Sequence, residues 1–190
     1  KEYNIWVDYI KDMKIKMPNS VFIWGLNTKP LIEKHHEDIL DKSFYIRTKY
    51  DLLTLKKAKI NISKTIMNIP TVLTQCLTVG IYMGFKEIHL LGFDLDQICH
   101  IDDRTFGRFY GMSKITNTNF EEEAERNLDN ETTDGWYNWW LMNKQFFMLK
   151  NYAEENKISI INGTQGGILS YFNREPIENI IGKNILINKK

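Results

Sequence analysis

Two spacings of hydrophobic positions alternate along the chain, and each change of spacing marks the end of a predicted element. Apolar residues that recur every three or four positions predict helices over residues 2–17, 71–83, 135–156 and 175–181. A further helix is predicted from Thr28, as its N-cap with Pro30 in the first turn, to about Leu40. Short apolar or alternating runs predict strands over residues 20–24, 42–47, 87–91 and 157–162.

This alternation of helices and short strands predicts an α/β fold with a mostly parallel sheet flanked by helices. Residues 52–63 are ambiguous and could contain one turn of helix and a brief strand. Residues 97–133 are rich in polar residues and have no clear period, so we expect a lid there, with one short helix near 120–128. Asp134 is then the expected N-cap of the helix over 135–156.

Carboxylates follow the predicted strand 87–91, which comes directly after an apolar helix. Gly84 can adopt the left-handed conformation that ends a helix. Gly92 allows the chain to bend out of the sheet before Asp94 and Asp96. Ligands of open α/β sheets bind beside the carboxyl ends of the strands. The sequence therefore predicts a binding site at this point, against the alternative of solvated loop carboxylates.

A second group of polar and small residues follows the predicted strand 157–162. The turn contains Asn162, Gly163 and Thr164 and continues through Gly166 and Gly167. Its backbone amides could hold an anion such as a phosphate. A plain connection between strand and loop is the equally weighted alternative.

His100 is the candidate for acid–base chemistry. It lies in a polar loop with Asp102 and Asp103 beside it, and histidine titrates closest to neutral pH. A base of this kind can remove the proton of a sugar hydroxyl. A surface histidine with incidental acidic neighbours is the alternative, and Asp94 and Asp96 could instead hold magnesium together with these aspartates.

Aromatic and basic residues of the same region could complete a site. Arg104 and Arg108 could neutralise a diphosphate or a carboxylate, and Phe109 and Tyr110 could stack on a base or a sugar. The tryptophan-rich segment 136–140 is interpreted as core, with one tryptophan exposed to an acceptor.

Bulk composition excludes several classes. The 190 residues are 43% hydrophobic and 26% charged with a net charge of +1, which is typical of globular proteins and argues against nucleic-acid binding. No apolar run is long enough for a membrane span, and no dinucleotide-binding or P-loop motif is present in the sequence. Cys76 and Cys99 have neither disulfide nor metal spacing, so we expect a reduced, cytoplasmic protein.

The run GIYMGFKEIHLLGFDLD, residues 80–96, resembles the helix–turn–strand unit of bacterial sialyltransferases of the Campylobacter type. It is also similar to a related domain, the hydroxymethylpterin-diphosphokinase-like domain of surface-polysaccharide gene clusters. The resemblance implies a single Rossmann-like domain over residues 1–190 that transfers a sugar from a cytidine nucleotide to a glycan hydroxyl. It implies that no metal is required, that a histidine is the base and that tyrosines hold the phosphate. Because the sequence begins with Lys1 rather than methionine, a strand that carries the nucleotide-binding loop could precede it.

We therefore expect a glycosyltransferase that uses a nucleotide sugar, with a CMP-sugar favoured, and a glycan or lipid-linked acceptor of a bacterial surface polysaccharide or lipopolysaccharide. The expected site comprises catalytic His100 and Asp94, nucleotide-binding Thr71, Asp96, Asn162, Gly163 and Thr164, and phosphate- or acceptor-binding Arg104, Arg108 and Tyr110. A magnesium-dependent diphosphokinase-like enzyme and a non-catalytic member of a polysaccharide assembly complex are the alternatives. Peripheral contact with the inner face of the inner membrane is a further possibility, and so is assembly into a homo-oligomer.

Overall fold

The computed structural model describes residues 2–49, 56–67, 71–95 and 120–181, and the side chains of residues 7–49, 56–67, 71–95 and 136–181. The chain divides into two compact units, one formed by Lys1–Leu53 with Lys59–Asn68 and the other by Thr54–Ala58 with Ile69–Lys190. The prediction of a single domain stays a prediction.

Unit 1 contains helices, strands and two 3-10 segments in alternation. In chain order these are α1 (Glu2–Lys16), β1 (Phe22–Gly25), a 3-10 turn (Leu26–Thr28), α2 (Lys29–His35), a second 3-10 segment (Glu37–Lys42), β2 (Ser43–Ile46), β3 (Thr48–Lys49) and β4 (Ile66–Met67). Strand β1 pairs in parallel with β2, and β3 pairs in parallel with β4. The amide of Ile66 also donates to the carbonyl of Arg47, the residue between β2 and β3.

The core of unit 1 joins α1 to the first strand and to the segment after it. Its buried centre consists of Ile10, Phe22, Ile32 and Ile39. Because a two-stranded sheet is only marginally stable by itself in water, this apolar cover is what makes the small sheet stable.

The segment after β1 departs from the prediction of one helix to Leu40. Helix α2 ends at His35, because His36 leaves the helical region at φ −140° and ψ 45°, and a 3-10 segment follows. Thr28 is also not a side-chain cap, since its hydroxyl donates to the carbonyl of Gly25 at 2.8 Å. Pro30 lies in the first turn, as predicted.

Unit 2 contains α3 (Val72–Tyr82), β5 (Glu87–Leu90), α4 (Phe120–Glu155), β6 (Ser159–Asn162) and β7 (Asn173–Arg174), with a final helical turn over 177–181. Its strands form one parallel sheet in the order β5-β6-β7. All strand pairs among the described residues are parallel, which confirms the α/β class.

Helix α4 is longer than predicted. It runs for 36 residues from Phe120 to Glu155, so Asp134 lies inside the helix rather than at its N-cap. The short helix predicted near 120–128 is therefore confirmed, but it is part of one continuous helix that replaces the irregular lid from residue 120 onward. Residues 97–119 lie outside the described part of the chain. The sequence of 120–133 contains Glu, Ala, Arg and Leu, which have high helix propensity despite the absence of a regular apolar period.

The core of unit 2 lies between α3, α4 and the sheet. Leu77 of α3, Phe146 and Leu149 of α4, and Leu169 are fully or almost fully buried. The tryptophan-rich segment is not core, because Trp136 and Trp140 are 55% and 47% exposed. Among the described side chains of α4, which start at residue 136, the first buried apolar ones are Leu141 and Met142.

Candidate functional site

The candidate site lies where β5 and β6 end side by side. The two strands are parallel and in register, with Leu90 opposite Asn162, so the segments 91–95 and 163–169 leave the sheet at the same edge. Helix α3 turns back into β5 over four residues, 83–86, so its amino end at Thr71 is directed toward the same edge. Helix and strand pack closely, since a β-carbon at Gly80 would lie 3.4 Å from the side chain of Ile88.

The turn between α3 and β5 follows the prediction made from Gly84. Gly84 has a φ of 90°, its amide donates to the carbonyl of Ile81, and the amide of Phe85 donates to the carbonyl of Gly80. This pair of bonds is the Schellman ending of a helix. The turn is short and fully bonded, so it sets the direction in which β5 enters the sheet.

Thr71 caps helix α3. Its Oγ1 accepts from the amide of Leu73 at 3.3 Å, and its carbonyl accepts from the hydroxyl of Thr74 at 3.0 Å. The first of these bonds satisfies an amide that the first turn of a helix leaves open. The hydroxyl predicted to bind a nucleotide therefore already has a structural partner.

Asn162 is fully buried at the end of β6 and organises the loop that follows. Its Oδ1 accepts from the amide of Thr164 at 3.0 Å, and its Nδ2 donates to the carbonyl of Leu169 at 3.4 Å. A buried amide needs such partners, since leaving them unmade is costly. The side chain of Asn162 thus holds the loop through hydrogen bonds to two of its residues, and it is not exposed to solvent.

Gly163 and Thr164 join the two loops. The amide of Gly163 donates to the carbonyl of Leu90 at 2.9 Å, which extends the ladder between β5 and β6 by one bond. A β-carbon at this glycine would lie 2.9 Å from side-chain carbons of both Leu91 and Ile180. The hydroxyl of Thr164 accepts from the amide of Phe93 at 2.9 Å. Both residues lie at the predicted edge, but their bonds to the neighbouring loop were not predicted.

Asp94 is exposed, whereas its backbone is held in place. Its carbonyl accepts from the amides of Ile168 at 2.8 Å and Leu169 at 3.4 Å. The next residue, Leu95, has a φ of 57°, a left-handed conformation that a leucine rarely adopts. Left-handed residues other than glycine are concentrated at functional sites, where the surroundings hold them in place. Asp94 thus presents a carboxylate to solvent from a fixed backbone.

An aromatic cluster supports this edge from inside. The ring of Phe146 is fully buried and packs edge-on against Phe93 at 5.9 Å, flat against Tyr171 at 6.1 Å and edge-on against Phe172 at 6.2 Å, between ring centroids. The hydroxyl of Tyr171 donates to Oδ1 of Asn143 at 3.1 Å, and burial raises its pKa above the ordinary value of 10.0. The loop that carries Asp94 is therefore fixed by packing as well as by hydrogen bonds.

Arg174 is a residue of this edge that was not predicted from the sequence. Its guanidinium donates to the carbonyls of Thr164, Gly166, Gly167 and Leu169, and so spans the whole second loop. A single arginine several residues after a pair of glycines carries no recognisable motif. The one available signal is Gly166-Gly167 itself, because two consecutive left-handed residues turn several carbonyls to one side and require a donor.

The rest of the predicted site lies outside the described residues: Asp96, His100, Arg104, Arg108 and Tyr110, with Asp102, Asp103 and Phe109. Within the described residues, no three His, Cys, Asp or Glu side chains are placed to hold a metal ion. Likewise, no helix in the described part is both long and apolar enough to cross a membrane.

Comparison of the chain with models of protein families, with curated protein sequences and with solved structures gives no match. A function must accordingly be inferred from the geometry of the edge formed by β5, β6 and α3.

Proposed function

We propose that the chain is a Rossmann-like glycosyltransferase that moves a sugar from a nucleotide donor, with a CMP-sugar favoured, to a hydroxyl of a bacterial surface polysaccharide or lipopolysaccharide. One observation carries the proposal most directly. The exposed carboxylate of Asp94 stands on a rigid backbone at the carboxyl edge of two adjacent parallel strands. This edge is where open α/β sheets bind their ligands.

In the proposed reaction, the bond between the sugar and the phosphate oxygen breaks and the nucleotide leaves with the bonding electrons. The acceptor oxygen forms the new bond to the sugar, and its proton passes to a base, for which His100 is the sequence-based candidate. The carboxylate of Asp94 can accept hydrogen bonds from sugar or ribose hydroxyls. The amino end of α3, an eleven-residue helix, favours the negative charge of the phosphate.

The described contacts change the roles of three predicted residues. Thr71, Asn162 and Thr164 use their polar side-chain atoms to cap α3, to shape the loop after β6 and to bind the loop after β5. We propose that they hold the nucleotide site in shape, and that Asp94 makes the contact to the ligand. No metal is required by this scheme, although magnesium could still accompany the phosphate.

A second candidate, a non-catalytic member of a polysaccharide assembly complex, is favoured by the same contacts. A site whose described polar side chains are mostly bonded within the protein has few groups left to recognise a nucleotide. Under this proposal the edge is a structural feature, and the exposed Asp94 is a solvated carboxylate.

Either protein would work on the cytoplasmic side of the bacterial inner membrane, where nucleotide sugars are available. The acceptor would be a glycan or a lipid-linked glycan. Peripheral contact with the membrane and self-association remain part of the proposal and are tested separately, by vesicle sedimentation and by light scattering.

A thermal-shift panel tests the two candidates against each other. The whole chain is heated with CMP, CDP, UDP, GDP or ATP, each with and without magnesium. Ligand at 100 times its dissociation constant adds about 2.7 kcal/mol, which raises the melting temperature by roughly 5–10 °C in a protein of this size. A metal-independent shift with CMP that Asp94→Asn abolishes supports the transferase. A shift that needs both ATP and magnesium would replace it with the diphosphokinase-like enzyme, and no shift with any nucleotide would favour the non-catalytic protein.

A further inference from the structure

Arg174 lies on β7, directly across from Asn162 on β6. From there its Nη1 donates to the carbonyls of Thr164, at 3.4 Å, and Gly166, while Nη2 donates to those of Gly167 at 2.8 Å and Leu169 at 3.2 Å. One side chain thus binds four carbonyls within six residues of chain. Only arginine has enough donors in a fixed planar arrangement to do this.

The loop needs such a donor because of its backbone conformation. Gly166 and Gly167 have φ values of 84° and 72°, so neither continues the direction of β6. The carbonyls of this turn are directed to the guanidinium rather than to another strand. Without Arg174 they would depend on water, which cannot fix their relative positions.

The loop in turn determines the position of Asp94. The amides of Ile168 and Leu169 both donate to its carbonyl, and Gly167 approaches its backbone so closely that there is no room for a β-carbon. Arg174 therefore acts on Asp94 through two successive sets of contacts, first guanidinium to carbonyl and then amide to carbonyl.

We infer that Arg174 is a positioning residue of the nucleotide site: it holds the loop 164–169 through four carbonyls, and that loop holds the backbone of Asp94. The inference rests on the proposed function, since it concerns the same edge. Arg174 itself does not contact the ligand. Its removal should weaken nucleotide binding through displacement of Asp94, and a lysine should fail to replace it.

The test compares Arg174→Lys and Arg174→Ala with Arg47→Lys, a matched change at an exposed arginine of unit 1. Two quantities are measured on the whole chain. The first is amide hydrogen exchange of Phe93 and Ile168, which reports the loops without any ligand. The second is the dissociation constant for CMP. We expect both variants of Arg174 to lose about tenfold or more in exchange protection and in CMP affinity, and Arg47→Lys to change neither.

Rescue separates positioning from loss of folding. Added methylguanidinium should restore protection and CMP affinity to Arg174→Ala, whereas sodium chloride at the same ionic strength should not. Unchanged protection in Arg174→Lys would overturn the inference, and so would lost protection with unchanged CMP affinity. If the wild-type chain binds none of CMP, CDP, UDP and GDP, the proposed function fails, and the inferred role of Arg174 in a nucleotide site fails with it. The exchange data would still show whether Arg174 holds the loop.

Discussion

Gly167 lies against the backbone of Asp94 so closely that a β-carbon at position 167 would overlap the Asp94 carbonyl oxygen. Gly166, one residue earlier, has a similar φ but open space around it. Alanine substitutions at the two glycines therefore distinguish the cost of backbone strain, present at both, from the cost of steric overlap, present only at Gly167. Gly166→Ala should cost about 1 kcal/mol in free energy of unfolding, from the left-handed conformation alone.

Gly167→Ala should cost about 1–3 kcal/mol more than Gly166→Ala, because the methyl group must also displace the Asp94 backbone. Urea unfolding of the two variants measures the difference. Equal costs would mean that the loops after β5 and β6 do not approach each other closely at this position.

His36 makes the stability of unit 1 depend on pH. It is fully buried, and neither ring nitrogen has a hydrogen-bond partner among the described residues. Burial, assisted by the positive charge of Lys14, lowers its pKa below the ordinary value of 6.5, while Asp38 opposes the shift. The nearby His35 and Lys11 also lower this pKa. The folded protein thus keeps this histidine neutral at a pH where the unfolded chain protonates it.

The free energy of unfolding is therefore unaffected by His36 protonation well above the unfolded pKa. As the pH falls below about 6.5, the unfolded chain takes up the proton first, and the free energy of unfolding decreases by at most about 1.4 kcal/mol per pH unit. Urea unfolding between about pH 7 and pH 5.5 should show this slope, and His36→Phe should remove it at little cost at pH 7, since no hydrogen bond is lost. His35→Gln, a change at an exposed neighbour, should retain the slope. A slope that persists in His36→Phe would assign it to another group.

Phe146 and Phe147 are adjacent on α4 but face different surroundings. Phe146 is fully buried among Phe93, Tyr171 and Phe172, whereas Phe147 is 52% exposed. Phe146→Ala should cost about 3–5 kcal/mol, and Phe147→Ala less than about 1 kcal/mol. Urea unfolding gives both values. Similar costs for the two would mean that α4 is rotated about its axis, with both rings sharing the core.

Lys157 ends helix α4 in a left-handed conformation with φ 54°. The amide of Lys157 donates to the carbonyl of Glu154, and that of Ile158 donates to Ala153, the same pattern that Gly84 completes at the end of α3. Lys157→Gly should therefore stabilise the protein by about 0.5–1 kcal/mol, despite the greater flexibility of the unfolded chain. Lys150→Gly, inside the helix, should destabilise it by a similar amount. A destabilised Lys157→Gly would contradict a left-handed helix ending at this residue.

Local signals in the sequence were sufficient for much of unit 2. The end of α3 at Gly84, the strand β5 and the position of Asp94 beyond it all follow from residues close together in the chain. The break at His36 was not predictable from periodicity, because the apolar positions Ile32 and Ile39 fit one continuous helix. The length of helix α4 was underestimated, because residues 120–133 have high helix propensity but no apolar period from which a helix could be predicted.

The candidate site was predictable only in outline. Strand ends indicate an edge, but which polar groups remain exposed there depends on contacts between residues distant in the chain. The bond between Phe93 and Thr164 spans 71 positions, and the four bonds of Arg174 depend on a backbone turn that no motif specifies. Thr71, Asn162 and Thr164, which were expected to bind a ligand, each have a hydrogen-bond partner within the protein.

Hydrogen exchange of the whole chain with and without saturating CMP tests the central claim most directly. If the nucleotide binds at the edge of β5 and β6, protection should rise in residues 91–95 and 163–169, and strands β1 and β2 of unit 1 should not change. Bound CMP with no added protection in either loop would place the nucleotide elsewhere and contradict the proposed site.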